Sequence, residues 1–160
     1  MPAVTALLHT KNDAFRLGRC LETVYPCDHI LVVDHGSSDS TVQVAREYGA
    51  RVVAAVPGEN PAYYVRSAPP GWILCLDPHE SVSESLAGSL YEWKLRAAGA
   101  AAGHAFSIFL REETAAGWVQ VPVAQTRLVP QDWHRWDGFL PQLDRSAVVL
   151  EGEILRFTFP

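Results

Sequence analysis

Apolar residues in this chain fall in short, dense runs separated by stretches of helical spacing. The first run, AVTALLHT (3–10), shows little polar alternation and reads as a strand buried on both faces. AFRLGRCLETV (14–24) shifts to a helical period, with Phe15, Leu17, Leu21 and Val24 on or near one stripe and Asp13 as the expected N-cap. HILVVD (29–34) is a second strand. STVQVAREYG (40–49) is a second helix, capped by Asp39 and stopped by Gly49, and ARVVAAV (50–56) is a third strand. A Pro-rich, aromatic stretch leads to a fourth strand, GWILCLD (71–77). SESLAGSLYEWKLRAA (83–98) is then a helix, with the capping-box pattern Ser81-x-x-Glu84 at its start.

Continuous apolar strands alternating with helices predict a parallel sheet covered on both sides and joined by right-handed crossovers. After Gly103 the texture changes. AFSIFLR, WVQVPV, TRLVP, AVVL and EILRFTF are short, alternating or β-branched, and predict antiparallel or mixed strands. RAAGAAAG (96–103) reads as a helix end and linker, and there is no internal repeat. With 160 residues the chain suits one α/β domain, hardly two, in which residues 1–100 form the parallel half and 101–160 the β-rich half.

Composition narrows the class. Apolar residues make up 48% and charged residues 19%, as in soluble globular proteins. A formal charge of −5 argues against a general nucleic-acid binder, which needs a basic face. No apolar run approaches the roughly 20 residues that span a bilayer, and MPAVTALLHTKND lacks the basic start of a signal peptide. Cys20, Cys27 and Cys75 are odd in number and lack C-x-x-C spacing, so neither a disulfide framework nor a zinc site is expected, and a reducing cytoplasm fits.

The candidate chemistry lies where the strands stop. Ligands of open parallel sheets bind outside the carboxyl ends of the strands. Three strands end there in polar loops: HTKND (9–13), DHGSSDST (34–41) and DPHE (77–80). On a parallel sheet Asp13, Asp34, Asp77 and Glu80 would converge with His79, and clustered carboxylates call for a cation or a hydrogen-bonded ligand. Each residue also has a plainer reading. Asp39 suits an N-cap, Asp77 and Glu80 a turn, and His9, His29, His104 and His134 surface or packing. Cys75 suits the core, and Trp118, Trp133 and Trp136 suit packing. There is no G-x-x-x-x-G-K-[ST], no G-x-G-x-x-G after the first strand and no glycine-rich opening, so a phosphate-cradling glycine loop is excluded.

AVTALLHTKND, ILVVDHGSSDSTVQVAREYGARVV and GWILCLDPHESVSESL together resemble the family 2 glycosyltransferases. Nearest is the bacterial subgroup with TKNE, VDSGSTDGT and LDADE that adds sugars to lipopolysaccharide cores. The likeness covers residues 3 to about 90 and continues more weakly through GWVQVPVAQTRLVPQDWHRWDGFLPQL, similar to that subgroup's RLFR and W-x-G-x-VHE segments. It implies a GT-A fold: a mostly parallel sheet between helices, with a nucleotide-binding half (1–100) and an acceptor-side half (101–160). It implies a nucleotide-diphospho-sugar donor, in the first place a UDP-sugar, and a divalent metal, Mn²⁺ or Mg²⁺. The acceptor would be a glycan or a lipid-linked molecule, met in the cytoplasm or at the inner face of the membrane. Position by position, Thr10, Asn12 and Asp13 fall where the first strand meets the nucleoside. Asp34 falls where the base is recognised, Gly36 and Ser37 in the tight turn after it, and Asp77 at the first acid of the D-x-D motif.

The departures bear on mechanism. His79 stands at the second D-x-D acid, which keeps a metal ligand at Asp77 and His79 and shifts preference towards manganese. Pro61-Ala62 replaces a basic-Asn pair. VHE becomes Leu140-Pro141-Gln142, removing the expected general base and leaving Glu80 and Asp137 as the candidates. Arg156 replaces the His of a later LHY-like segment, and the likeness includes no C-terminal acceptor or membrane-associating part. Two readings follow: a working glycosyltransferase, or a GT-A module that binds a nucleotide or a protein partner without transfer. An aromatic patch at Trp133, Trp136 and Phe139 would either dock a membrane acceptor or pack in a homodimer.

Overall fold

The computed structural model describes residues 1–96 and 104–159. Its first strand, β1 (Val4–Thr10), is buried at every position, its polar residues Thr5, His9 and Thr10 included, as a strand packed on both faces requires. Successive side chains enter opposite cores, with Val4, Ala6 and Leu8 on one face and Leu7 on the other. Helix α1 (Ala14–Leu21) adds Leu17, Cys20 and Leu21 to the first core and leaves Phe15 exposed, off the stripe. Asp13 precedes α1, but its carboxylate turns back to Thr10 and Lys11 instead of capping the helix.

Strand β2 (His29–Asp34), helix α2 (Thr41–Glu47) and strand β3 (Arg51–Ala54) repeat the unit. Ser40, not Asp39, immediately precedes α2, although the Asp39 carboxylate does accept the Thr41 N–H at 2.9 Å. The Pro-rich stretch holds a short helix, α3 (Pro61–Val65), started by Asn60 Oδ1 accepting the Ala62 N–H. Its five residues are too few to show a period in the sequence. Strand β4 (Trp72–Leu76) follows, then a buried strand β5 (Glu80–Val82) and helix α4 (Glu84–Arg96). The cap of α4 is Ser83, whose Oγ accepts the Leu86 N–H at 3.2 Å. Ser81 lies inside β5, so the helix begins within one residue of the expected position but its cap is Ser83 and not Ser81.

The second half supplies β6 (Phe106–Thr114), β7 (Gly117–Gln120), β8 (Gln125–Pro130), a small hairpin of β9 (Trp136–Asp137) and β10 (Leu140–Pro141), and β11 (Val148–Arg156). AVVL and most of EILRFTF are thus one strand. It bulges between Val149 and Glu153, where Gly152 sits at φ 97° and passes so close to α4 that a Cβ would lie 2.4 Å from the Leu86 nitrogen. The main sheet runs β3-β2-β1-β4-β8-β6-β11-β5, with β7 on β6. Its β3-β2-β1-β4 part is parallel, β8 is antiparallel to β4 and β6, β6 and β11 are parallel, and β5 is antiparallel to β11. Both halves of the sequence share this sheet, parallel first and mixed later. Helices α1, α2 and α4 cover one face through Leu17, Ala45, Leu86 and Trp93, and α3 with Trp133 covers the other. Residues 97–103, most of the expected linker, lie outside the described residues.

Candidate functional site

Register decides what meets at the carboxyl edge. Strand β1 lies between β2 and β4, parallel to both, with Thr10 opposite Asp34 and Leu8 opposite Leu76. Asp34 and the Asp77 loop therefore flank β1 on the same edge, separated across the sheet by two strand spacings, about 10 Å. The register thus puts Asp34 and the Asp77 loop on one edge of the sheet.

The first two loops are stitched together. Asn12 adopts a left-handed backbone (φ 55°), a conformation asparagine tolerates better than most residues, which turns its side chain across to the second loop. Its Oδ1 accepts the Ser38 N–H at 2.8 Å, and its own N–H donates to Ser37 Oγ at 2.9 Å. Ser37 in turn donates to Asp34 through both its N–H (3.0 Å) and its hydroxyl (2.5 Å), across a turn in which Gly36 sits at φ 84°. Asp13 accepts from Thr10 Oγ1 at 2.7 Å and Lys11 N–H at 3.0 Å, and pairs with Arg16 at 3.2 Å. Thr10, Asn12 and Asp13 thus hold the loops in place, while Asp34 keeps lone pairs free towards the edge.

The 77–80 turn is built differently. Asp77 Oδ1 accepts the His79 backbone N–H at 2.9 Å and lies 2.6 Å from His79 Nδ1. Arg156 Nη1, at the end of β11, approaches the same oxygen to 3.6 Å. Burial would raise the Asp77 carboxyl. The His79 backbone and ring N–H groups and the Arg156 guanidinium outweigh it and hold the group below its ordinary value. Glu80 points the other way. It is fully buried and grips Arg127 through two bonds of 2.6 and 3.0 Å, while its Oε1 also accepts the Asp77 N–H at 2.8 Å. A carboxylate so enclosed and so filled is a structural ion pair, which removes Glu80 as a proton acceptor for a substrate. The acids at the strand ends do gather, but Asp13, Asp77 and Glu80 each carry a basic partner of their own.

Beyond Asp34 a cleft of about 620 Å³ opens between the 34–36 and 54–59 segments, with Phe139 of the β9–β10 turn on its rim. Phe139 is half exposed and stacks on His9, ring centroids 4.3 Å apart and planes 3° from parallel, with His35 at 4.7 Å. His9 and His35 share a hydrogen bond of 2.9 Å. Burial first, then the neighbouring His35, lowers the His9 pKa to about 4, so its ring is neutral near pH 7. Sequence reasoning placed His9 among packing residues, which it is, but missed that it supports an aromatic wall of the cleft. Only the long-range stacking of His9 on Phe139 of the 136–141 hairpin could have shown this. Trp133 is buried and Trp136 half-buried, each donating its indole N–H to a backbone carbonyl, so the expected aromatic patch reduces at the surface to Phe139. Asp137 is exposed and its carboxylate enters no hydrogen bond or ion pair among the described residues, and Gln142 is exposed beside the hairpin. A larger cavity of about 780 Å³, lined by Thr5, Cys27, Asp28 and His29, opens at the opposite edge, away from these loops.

For a divalent cation the residues offer little. Asp77 and His79 bond to each other, no third His, Cys, Asp or Glu joins them into a metal-binding group among the described residues, and the nearby guanidinium would repel the ion. The side chains alone do not fit a metal cage.

No protein-family model matches the chain. It is 32% identical over 91 residues to an uncharacterized glycosyltransferase of Rickettsia felis, covering 54% of this chain and 32% of that protein. It is also 35% identical over 69 residues to the 4,4'-diaponeurosporenoate glycosyltransferase of Staphylococcus aureus, covering 41% of this chain and 18% of the relative. The chain thus spans about a third or less of the curated relatives it matches. Among solved structures, a mycobacterial protein superposes with a TM-score of 0.59 at 16% identity, over 98% of this chain and 65% of that one. TarS of S. aureus superposes at 0.55 and 15% identity, over 81% of this chain and 28% of its own.

Proposed function

The chain has a GT-A glycosyltransferase fold, and from that premise we propose that its carboxyl edge binds a nucleotide-diphospho-sugar, in the first place a UDP-sugar, for transfer to a glycan or lipid-linked hydroxyl. One observation carries the reading. Asp34 and Asp77 flank β1 at one edge, with an aromatic-walled cleft beyond Asp34 and a cationic side chain beside Asp77. A base enters the cleft against Phe139 and donates its ring N–H to Asp34. The ribose then crosses the end of β1, held near Thr10 and the 36–37 turn, and the diphosphate lies towards Asp77 and Arg156. In transfer, the acceptor oxygen bonds to the anomeric carbon, the bond to the diphosphate breaks, and the acceptor proton leaves to a base or to water. Of the two carboxylates considered for that base, Asp137 alone is accessible. Mn²⁺ or Mg²⁺ would find only Asp77 and His79 here, with the nucleotide's own phosphates completing its shell.

A second reading, a module that binds nucleotide without transferring sugar, is favoured by the locked Glu80–Arg127 pair and by Pro141 and Gln142 at the expected base position. Calorimetry with UDP, with and without Mn²⁺, and a UDP-sugar hydrolysis assay separate the two. Binding with turnover supports the enzyme, and binding without turnover the module. Asp77→Ala should abolish any Mn²⁺-dependent part of the binding while Gln142→Ala leaves binding intact. Equal loss in both refutes the site.

A further inference from the structure

Resting on the nucleotide reading of this edge, we infer that the guanidinium of Arg156 is the counter-charge for the diphosphate, so that the chain binds its nucleotide without a divalent cation. A diphosphate brought beside Asp77 meets a carboxylate held in its charged form and needs a positive group between them. Arg156 is that group. Its Nη1 sits 3.6 Å from Asp77 Oδ1 and 3.4 Å from Glu80 Oε2. Both contacts are loose compared with the 2.6 and 3.0 Å bonds by which Arg127 already neutralises Glu80. Arg156 is therefore surplus to the buried pair. Its side chain is 36% exposed, and Asp77 and His79 at its side are exposed to a similar degree, so solvent reaches all three.

The backbone anchors Arg156 there. Strand β11 ends at Arg156, which pairs with Glu80 of β5, and the next residue, Phe157, donates its N–H to the His79 carbonyl at 2.8 Å. The end of β11 is thereby tied to the 77–80 turn, which keeps the root of the Arg156 side chain beside it while its loosely held guanidinium stays free to turn to a ligand. A guanidinium presents several N–H donors in a plane and matches two phosphate oxygens at once, the task a bound ion would otherwise perform. A divalent ion at the same place would have two protein donors, already bonded to each other, and a fixed positive charge beside it.

The test is calorimetry on the full chain with UDP, with GDP and CDP alongside, in EDTA and in 2 mM-scale MnCl₂ or MgCl₂, and with uridine as a probe lacking phosphate. The wild type should bind a nucleoside diphosphate in EDTA with an affinity within about threefold of that in Mn²⁺. Arg156→Gln should weaken it roughly 10- to 100-fold, the scale of a lost charge-assisted pair, while uridine binding stays within about twofold. Arg156→Lys should recover part of the loss. Arg156→His should convert binding to metal dependence, because it exchanges a fixed cation for an imidazole nitrogen, a third donor beside Asp77 and His79. Thermal melting of each variant reports whether the fold survives, and should Arg156→Gln prove unfolded the Lys and His variants decide. A wild-type complex that forms only with Mn²⁺ or Mg²⁺ overturns this inference and leaves the nucleotide site standing. Equal weakening of UDP and uridine by Arg156→Gln overturns it too. Failure of every nucleoside diphosphate to bind under either condition sinks the nucleotide reading and this one together.

Discussion

Replacing Arg127 by methionine tests the claim that Glu80 belongs to the scaffold and not to the chemistry. Glu80 is fully buried and the Arg127 side chain is 5% exposed, joined by bonds of 2.6 and 3.0 Å. Arg127→Met leaves the Glu80 carboxylate with the Asp77 N–H and the looser Arg156 contact at 3.4 Å, which do not compensate a buried charge. Breaking a buried pair from one side costs about 3–5 kcal/mol, a large part of the roughly 5–15 kcal/mol that holds a domain together. For a chain of this size that lowers Tm by roughly 6–20 °C. Urea unfolding followed by far-UV circular dichroism measures the free energy, and a thermal melt measures the shift. The double variant Glu80→Met/Arg127→Met removes both charges and should recover most of the loss, because the desolvation penalty disappears with them. A loss under about 1 kcal/mol in the single variant, or additive losses in the double, would refute the reasoning and reopen Glu80 as an accessible group.

Three further outcomes follow from particular contacts. His9 titrates near 4 in the folded chain against an ordinary 6.5, so the unfolded chain binds the extra proton between those values. Stability should be full above about pH 6.5 and fall by roughly 3 kcal/mol towards pH 4, and His9→Leu should flatten that part of a urea-midpoint profile; an unchanged slope rejects it. Gly152→Ala places a Cβ 2.4 Å from the Leu86 nitrogen at a left-handed φ, and should destabilise by about 2 kcal/mol or more in the same assay. Phe139→Ala, at a ring 51% exposed, should barely move Tm yet weaken UDP roughly 10-fold in calorimetry, and undiminished affinity would remove the aromatic wall from the site.

What could be read from the sequence was what local pattern determines. The runs of β1, β2 and β4 are dominated by apolar residues without regular polar alternation and leave no room for another element, so their largely buried course and their shared carboxyl edge followed directly. The short elements were not legible. Helix α3 has five residues and β5 three, below the length at which periodicity shows, and the bulge at Gly152 split one strand into two apparent runs. The roles of the acids were hidden for another reason. Nothing local marks Glu80 as the partner of Arg127, 47 positions away, or places Arg156, 76 positions from Glu80, beside Asp77. Partners brought together by sheet order, here β8 and β11 closing on the β4–β5 turn, are visible only once the sheet is assembled.

That assembly also changes what the acidic loops mean. A row of carboxylates at strand ends first suggests a missing cation, because like charges in one place are costly. In this fold the second half of the chain delivers the cations itself. Strand β8 carries Arg127 into the core beneath the 77–80 turn, and β11 carries Arg156 to its surface, one guanidinium locked on a buried acid and the other only loosely held. The locked pair fixes the turn on which Asp77 and His79 stand, and the loose one is free to meet an incoming anion. The mixed half of the sheet therefore does more than extend the parallel half. It sets the electrostatics of the edge formed by the parallel half, which is why the charge at that edge is to be counted on strands far apart in sequence.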